Sequence, residues 1–429
     1  MSKLSNNPWS RRHFLQASGA LLGASLAGCA STGQRGVAQV VVVGGGFAGA
    51  TCARYLRMWS DNRIDVTLVE RDADFVSCPM SNLVVGGVRR IEDITLSREN
   101  LARRHGVRLL RGEVAAIDLD KRQVRLRTDE RIPFDRVVVA PGIDFLWDSV
   151  PGLPAGMADS TVFHAWKAGT QTTRLHEQIR SMPDGGTVAL CIPKAPYRCP
   201  PGPYERASTI AHYLKTHKPR SKVLILDAND DIQSKKGLFL KAWADYYPGM
   251  IEYRKDHVIS SVDPNSKTVR FELGETVRAE VLNVIPAQRA GDIARPFINK
   301  NGRWVGVNWL SMEAEVAPGV HVLGDATFSA PGMPKSGHMA NQHAKVAAAA
   351  IINLLGGLAV SDQPVVMNTC YSFVTDRSAM HVASVHQYDA GERTFKTVAG
   401  SGGLSPMASD REGDIALAWA RNIWADVLG

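Results

Sequence analysis

The pattern of apolar and polar positions predicts a chain that opens with a strand, a tight turn, a helix and a second strand. The segment "VAQVVVVGGGFAGATCARYLR" gives the first three, and "IDVTLVE" gives the second strand. Short apolar runs that alternate with helical segments favour a parallel sheet with helices packed on its faces. The first expected layer is therefore a doubly wound α/β sheet.

The turn between the first strand and helix carries glycines in a G-x-G-x-x-G pattern, at Gly44, Gly46 and Gly49, and Glu70 ends the second strand. In this context the first glycine permits the tight turn, the second lets a pyrophosphate approach the backbone, and the third lets the helix pack on the sheet. The helix N-terminus would hold the phosphates, and Glu70 would accept hydrogen bonds from the ribose hydroxyls. The pattern predicts a dinucleotide site.

A second part of this site is predicted far downstream, where "GVHVLGDAT" reads as a strand that stops at Gly324 and Asp325. Together with the glycine turn and an antiparallel excursion that ends at Pro141, it resembles the large family of FAD proteins with two dinucleotide-binding domains. The resemblance implies bound FAD, with Asp325 hydrogen-bonded to its ribityl chain.

The fold class expected is α/β, with two Rossmann-like dinucleotide-binding domains and a small C-terminal α+β domain. A second, NAD-domain-like unit is inserted into the FAD domain and splits it. The expected boundaries are 37–150 and 281–358 for the FAD domain, 151–280 for the inserted domain, and 359–429 for the C-terminal domain, which we interpret as an interface domain.

The inserted domain differs from a nucleotide-binding domain in the loop after its first strand. In relatives linked to pyridine nucleotides this turn carries a second glycine motif, but here it reads "IPKAPYRCPPGPYERA". Proline has no N–H to donate and stiffens the chain, so a pyrophosphate cradle is difficult to build from this loop. We expect that NADH is not the electron partner.

The first thirty residues have the form of a twin-arginine export signal, with Arg11 and Arg12 before a short apolar stretch rich in Gly, Ala and Ser. The tetrapeptide "LAGC" at its end resembles a lipobox, so Cys29 is either lipidated or removed by plain cleavage near Ala30. No later segment runs apolar long enough to span a membrane. The expected location is the periplasm, with a possible lipid anchor at Cys29.

The sequence holds six cysteines, and an exported protein folds where disulfides persist. Cys52 in the first helix and Cys191 in an apolar strand are predicted to be buried small hydrophobes. Cys199 precedes a predicted helix that has Gly202 as its cap, where a thiolate would be stabilised. The residues alone leave Cys199 either a reactive thiol or a structural one, and they leave its partner open.

Four motifs closely resemble the flavoprotein subunit of flavocytochrome c sulfide dehydrogenase: "DFVSCPMSNLVVGG", "YRCPPGPYERA", "MPKSGHMANQHAKVAAAA" and "MNTCYSF". The resemblance implies a redox-active disulfide between Cys199 and Cys370 beside the flavin. It also implies that Cys78 attaches FAD as a thioether, although Pro79 restricts Cys78 to extended backbone. Glu205, near the start of a helix, would accept a proton during the reaction.

The resemblance implies an exported sulfide–cytochrome c oxidoreductase. Hydrosulfide would attack the disulfide and leave a persulfide, with Cys370 as the flavin-proximal cysteine and polysulfide or sulfur as the product. Because the chain has no C-x-x-C-H motif, the haem would belong to a separate c-type cytochrome subunit. Two alternatives remain open: a sulfide:quinone oxidoreductase, and a non-catalytic exported flavoprotein that acts as a redox sensor or assembly factor.

The remaining features change the picture little. Lys335, before an alanine-rich helix whose N-terminus could stabilise a reduced flavin, is a candidate flavin contact. His338 and His343 on that helix are expected to be solvated, and no metal site is expected because no third ligand stands nearby. The net charge of +8 is scattered and does not indicate nucleic acid. The apolar stripe of the last helix is typical of core or a protein interface, not of a membrane surface.

Overall fold

The first apolar strand of the sequence forms the middle of a parallel sheet. This computed structural model describes residues 37–155, 160–300 and 302–429. The elements up to residue 146 are β1 (Ala38–Val43), α1 (Phe47–Trp59), β2 (Ile64–Glu70), β3 (Phe75–Val76), α2 (Ser81–Val85), β4 (Thr95–Leu96), α3 (Glu99–His105), β5 (Arg108–Arg111), β6 (Val114–Asp118), β7 (Gln123–Leu126), β8 (Arg131–Pro133), β9 (Arg136–Val139) and β10 (Ile143–Leu146).

The middle of the chain again alternates strands with helices, as its apolar pattern predicts. Its elements are α4 (Thr170–Ser181), β11 (Thr187–Ile192), α5 (Gly202–His217), β12 (Lys222–Asp227), α6 (Lys236–Tyr246), β13 (Ile251–Arg254), β14 (Ile259–Asp263), β15 (Thr268–Phe271), β16 (Thr276–Arg278), β17 (Val281–Val284) and β18 (Ala287–Ala290).

The last part of the chain returns to the first sheet and then forms the C-terminal elements. These are β19 (Val307–Asn308), β20 (Glu313–Ala314), β21 (Ala317–Val322), α7 (Gly337–Leu355), β22 (Val365–Phe373), β23 (Ala379–Asp389), β24 (Thr394–Thr397), β25 (Gly403–Leu404) and α8 (Asp410–Leu428).

Two parallel sheets confirm the predicted fold class. The first has the order β19-β20-β21-β9-β1-β2-β5, and its parallel core joins β21 to β9, a strand far earlier in the sequence. The second has the order β13-β12-β11-β17, and all its pairings are parallel. Because β11, β12, β13 and β17 lie between β9 and β21 in sequence, the second sheet is an insertion that splits the first.

One expected boundary needs correction. We placed the end of the inserted domain at residue 280, but β17 pairs with β11 and completes the second sheet. The strand is fully buried, and its apolar positions form a core with β11, so burial holds it in this sheet. The inserted domain therefore continues through Val284.

The C-terminal elements form an antiparallel sheet, β22-β23-β24 with β25 beside β23, and one helix. In α8 the apolar stripe contacts the rest of the chain: Ile423 is buried, and the Trp424 indole N–H donates to Ser77 Oγ at 2.9 Å. Asp426 accepts from Asn341 at 2.7 Å and pairs with Lys345 at 2.8 Å, both on α7. The stripe is therefore core.

The expected export signal, with Arg11, Arg12 and Cys29, lies outside the described residues. Within the described ranges, none of the helices combines the length and the apolar character needed to cross a bilayer.

Candidate active site

The turn between β1 and α1 has the geometry that its glycines predict. Gly44 has a φ of +98°, and a Cβ on Gly49 would lie 1.8 Å from the Gly44 carbonyl oxygen, so α1 can approach β1 only without that side chain. A Cβ on Gly46 would meet nothing within 4 Å. Gly46 therefore begins α1 beside open space, where a phosphate could reach the helix N-terminus.

A cavity of about 980 Å³ opens from this turn. It runs past Glu70 at the end of β2 and reaches residues from four separate parts of the sequence: Cys78, Lys167, Arg198 and Asp325. The first turn of α7 also borders it at Gly337 and Ala340. The cavity lies at the carboxyl ends of parallel strands, where open α/β sheets bind their ligands.

Arg98 holds the glycine turn in place, a role that no motif in the sequence indicates. Its buried guanidinium donates to the carbonyl oxygens of Gly45 at 2.9 Å and Asp72 at 3.0 Å. Glu70 accepts from the N–H of Gly45 at 2.6 Å and from that of Asp72 at 3.0 Å. Arg98 and Glu70 therefore fix the turn from its two sides.

Asp325 presents an unpaired buried acceptor at the other end of the cavity. Its Oδ1 has no hydrogen-bond partner among the described residues, and burial raises the pKa of this carboxyl. A buried oxygen without a partner is costly, and a ligand hydroxyl would satisfy it. This orphaned oxygen, the open cradle at Gly46 and the volume between them fit a flavin dinucleotide.

The predicted flavin contact Lys335 lies behind Asp325 and not on the wall of the large cavity. Its ammonium donates to the backbone oxygens of Asp325, at 3.2 Å, and Thr327, and lies 3.8 Å from the ring centre of Trp304. Burial lowers the pKa of Lys335 to about 7. Lys335 is therefore in a position to act on the cavity through Asp325.

The proline-rich loop places Cys199 against the segment that precedes α7. The Cys199 N–H donates to the Lys335 carbonyl at 2.9 Å, and Cys199 has a φ of +57°. Helix α5 begins at Gly202 with Pro201 as its N-cap, one residue earlier than we expected. A Cβ on Gly202 would lie 2.9 Å from the Cys199 sulfur, so this glycine makes room for the thiol.

Cys370 on β22 reaches the same segment through a short chain of hydrogen bonds. Asn368 Nδ2 donates to the Cys370 sulfur at 3.3 Å, and Ser336, the N-cap of α7, donates to Asn368 Oδ1 at 2.6 Å. Cys199 and Cys370 are both free thiols in this structure. The two cysteines are near enough for a thiolate at Cys370 to raise the pKa of Cys199.

The expected direction of the pKa shift of Cys199 is wrong. We expected the start of α5 to stabilise its thiolate, but burial dominates and raises the pKa of Cys199. Burial also raises the pKa of Cys370. A buried thiol loses the hydration that stabilises its charged form, and one helix end does not replace that hydration. Both thiols are therefore protonated at neutral pH.

Glu205 on α5 contacts both α2 of the FAD domain and the C-terminal sheet. It accepts from the backbone N–H of Phe373 on β22 at 2.9 Å and from Asn82 at 2.8 Å. Asn82 in turn accepts from the buried Arg206 at 3.0 Å. Burial raises the pKa of Glu205, so this carboxylate accepts a proton more readily than an exposed one.

Arg198, the residue before Cys199, is the cation that the sequence reading missed. It lines the cavity, and although burial opposes its charge, the neighbouring Cys78, Asp325 and Cys199 together raise the pKa of its guanidinium. Three predicted site residues thus meet around one positive charge. Only its position next to Cys199 could have indicated this role in the sequence.

The two histidines of α7 were expected to be solvated, and this is wrong for His343. His343 is buried, and its Nε2 lies 3.3 Å from the Met333 sulfur. Burial lowers the pKa of the His343 imidazole to about 3. His338 is partly buried and accepts from the Thr369 N–H at 3.0 Å. Cys52 and Cys191 are buried, as predicted.

Comparison with known protein families identifies the family of this chain. A model described as the central part of the sulfide dehydrogenase [flavocytochrome c] flavoprotein chain matches residues 172–286, and a flavocytochrome c sulphide dehydrogenase flavin-binding model matches residues 362–428. The sulfide dehydrogenase [flavocytochrome c] flavoprotein chain of Chlorobaculum thiosulfatiphilum is 59% identical over 49 residues, which are 11% of this chain and 100% of that sequence. The chain belongs to the flavocytochrome c sulfide dehydrogenase flavoprotein family.

The chain also shares its fold with a wider group of proteins. A pyridine nucleotide-disulphide oxidoreductase model matches residues 38–187. The sulfide:quinone oxidoreductase structure from Aquifex aeolicus superposes with a TM-score of 0.73 at 18% identity, covering 91% of each chain, which shows the common fold.

A mitochondrial sulfide:quinone oxidoreductase of Dictyostelium discoideum is 23% identical over 304 residues, covering 68% of this chain and 66% of that protein. The mouse protein of the same name is 24% identical and covered to 65%. This chain thus spans about two thirds of the length of these curated relatives.

Proposed function

We propose that this protein is an exported flavoprotein that oxidises sulfide through Cys199 and Cys370 and passes the electrons to a c-type cytochrome subunit. The observation that carries the proposal is the meeting of the two cysteines at one segment, Lys335 to Ser336, beside the cavity. The proline-rich loop brings Cys199 to this segment, and β22 brings Cys370.

The residues that would hold FAD are those of the large cavity. Gly44, Gly46 and Gly49 with the N-terminus of α1 would take the pyrophosphate, Glu70 the ribose, and Asp325 the ribityl chain. When bound, FAD would accept two electrons together and release them one at a time to a haem. Cys78 lines the same cavity, and we propose that it carries the flavin as a thioether.

The chain's own residues account for the sulfur chemistry when Cys199 and Cys370 are oxidised to a disulfide. Hydrosulfide attacks one sulfur, the S–S bond breaks, a persulfide forms on that cysteine, and the other cysteine leaves as a thiolate. The persulfide proton passes to Glu205, because its two hydrogen-bond donors favour the ionised carboxylate and burial raises its pKa. The leaving thiolate then holds the electron pair that sulfide has given up.

The acceptor and the location rest on the sequence and on the family. The family's name joins a flavoprotein to a cytochrome c, and the sequence contains no C-x-x-C-H motif, so the haem would be on a partner subunit. The twin-arginine motif supports export to the periplasm, and Cys29 would carry a lipid if the lipobox is used.

The test is an anaerobic titration of the purified protein with sulfide and, separately, with NADH, while flavin absorbance is followed. We expect sulfide to bleach the flavin and oxidised cytochrome c to restore its colour over repeated turnovers. Bleaching by NADH instead would overturn the proposal, because it would require a nucleotide site in the proline-rich loop. Bleaching by stoichiometric sulfide without turnover would favour a sensor or assembly factor.

The similarity to sulfide:quinone oxidoreductases favours one second candidate, in which quinone is the electron acceptor. The same reduced protein distinguishes the two acceptors. Reoxidation by a short-chain quinone at a higher rate than by cytochrome c would favour that candidate.

A further inference from the structure

Lys235 is a buried lysine at the N-terminal end of α6, and the reaction proposed above does not use it. It is 5% exposed and has a φ of +55°, in the left-handed region that glycine and asparagine adopt more easily. A lysine at this end of a helix also opposes the helix dipole. Neither the backbone nor the helix favours lysine here, so its side chain is the feature that needs an explanation.

The ammonium of Lys235 lies against the strand that carries Cys370. It donates to the Cys370 carbonyl at 2.9 Å, to Ser372 Oγ at 2.8 Å and to the Met380 carbonyl at 3.4 Å. These acceptors belong to β22 and its neighbour β23, where Ser372 and Met380 are paired. Lys235 therefore fixes the two strands at the position of the thiol.

The three acceptors of Lys235 are neutral oxygens, so they hydrogen-bond to its charge without cancelling it. Burial lowers the pKa of Lys235 to about 8, because the site removes the water that would stabilise the ammonium. The titratable groups that face the ammonium are Cys370 on β22, Glu205 on α5, Cys199 in the proline-rich loop and Glu412 on α8. The two carboxylates already favour the charged lysine, and an anion formed at Cys370 would favour it further, since Cys370 is the strongest of these charge partners.

We propose that Lys235 is a positioning residue that fixes the Cys370 strand and supplies the positive charge that stabilises a thiolate at Cys370. This inference rests on the proposed function, in which one of the two cysteines leaves as a thiolate. Burial makes the thiolate of Cys370 unfavourable, and a cation in the same low-dielectric site offsets that cost. The loop before α6 would thus act on the sulfur chemistry without contacting the flavin.

The experiment measures the pH dependence of Cys370 alkylation by iodoacetamide in the reduced flavin-loaded protein, with the modified peptide quantified by mass spectrometry. The variants are Lys235→Gln, Lys235→Met and Lys235→Arg. Lys236→Met is the matched control, because Lys236 is the next residue and is exposed in an ion pair with Asp231.

We expect Lys235→Gln and Lys235→Met to raise the midpoint of Cys370 alkylation by about one pH unit and to slow alkylation about tenfold below it. Lys235→Arg and Lys236→Met should keep the wild-type midpoint. A wild-type midpoint in a folded Gln or Met variant would overturn the proposal, as would an equal shift in Lys235→Arg. Failure of both uncharged variants to fold would assign Lys235 to folding and would also overturn it.

The alkylation measurement does not depend on sulfide turnover, so the two proposals can fail separately. If sulfide does not bleach the flavin but the midpoint depends on the charge at Lys235, the proposed function is wrong, and the effect of Lys235 on the ionisation of Cys370 stands without it. If sulfide is oxidised but the midpoint is insensitive to that charge, only this inference is wrong.

Discussion

Two turns in this protein join a buried parallel strand to a helix, and they present different chemical groups to a ligand. After β1 the turn is almost bare backbone, and a Cβ on Gly46 would meet nothing within 4 Å. After β11 the turn holds Pro193, Pro196, Pro200 and Pro201, none of which has an N–H, and it carries Cys199. One turn can receive a phosphate, and the other presents a sulfur.

The difference shows that a doubly wound sheet fixes where a site lies and not what chemistry it performs. Both turns stand at the carboxyl end of a strand, which is the usual ligand edge of such sheets. Glycines make the first a binding turn because they expose donors. In the second turn, prolines remove the donors and Gly202 leaves room for the Cys199 sulfur.

The most direct way to break this comparison is to remove the sulfur from the second turn. We expect Cys199→Ser to retain its flavin and to lose nearly all sulfide-dependent reduction of cytochrome c, because serine cannot form the disulfide. The matched control is Cys191→Ala, which removes a buried thiol from the strand just before the loop. Normal turnover of Cys199→Ser would contradict a thiol role for this turn.

Substitution of Glu205 tests whether the helix after the second turn also supplies a general base. Glu205→Gln should lower turnover by about 100-fold or more, since general base catalysis contributes about that much. Burial raises the pKa of Glu205, so in the wild type activity should fall as the pH drops through that raised pKa and protonates the base. The glutamine variant should lack this acidic limb.

The control for Glu205→Gln is Glu177→Gln, an exposed carboxylate on the neighbouring helix α4. It should retain both the rate and the pH profile of the wild type. An acidic limb that persists in Glu205→Gln would assign the titration to a different group.

The glycine turn is tested by a pair of single-methyl substitutions. Gly49→Ala places a Cβ 1.8 Å from the Gly44 carbonyl oxygen and should destabilise the fold by about 1–3 kcal/mol or more, as overpacking does. Gly46→Ala has room for its Cβ and should keep the fold but weaken flavin binding roughly tenfold, or about 1.4 kcal/mol. Melting temperature and flavin content separate the two effects.

A third substitution sharpens the same comparison. Gly202→Ala would press on the Cys199 sulfur, so it should impair turnover while leaving flavin content unchanged. Loss of flavin from Gly202→Ala, or unchanged flavin binding in Gly46→Ala, would show that the two turns do not divide the work as proposed.

The sequence predicted the parts of this site that depend on local pattern. Gly44, Gly46 and Gly49 have the predicted turn geometry because a glycine motif between strand and helix has few other solutions. The split of the first sheet followed from a strand ending in Gly324 and Asp325 far from β1. The local pattern could not predict the end of the inserted domain. The strand β17 belongs to that domain because it pairs with β11, and its own sequence does not show this pairing.

Long-range burial explains what the sequence could not predict. Arg98 and Arg198 matter because of backbone oxygens and charges that only the folded chain brings near them. Cys199 lies near the start of a helix, as predicted, but its thiol has a raised pKa because the surrounding structure removes its water. The buried His343 and Lys235 likewise show that charge in this protein depends on burial more than on sequence neighbours.

Cys78 gives the smallest expected effect and tests whether the first turn alone holds the flavin. It lies on the cavity wall, near enough to hydrogen-bond with Arg198. We expect Cys78→Ser to retain flavin when folded, because the glycine turn and Asp325 still bind it, but to release it on acid or denaturant extraction. The wild type should keep its flavin under the same treatment, because a thioether survives unfolding. If the wild-type flavin is freely extractable, the thioether is wrong and non-covalent contacts in the cavity carry all of the binding.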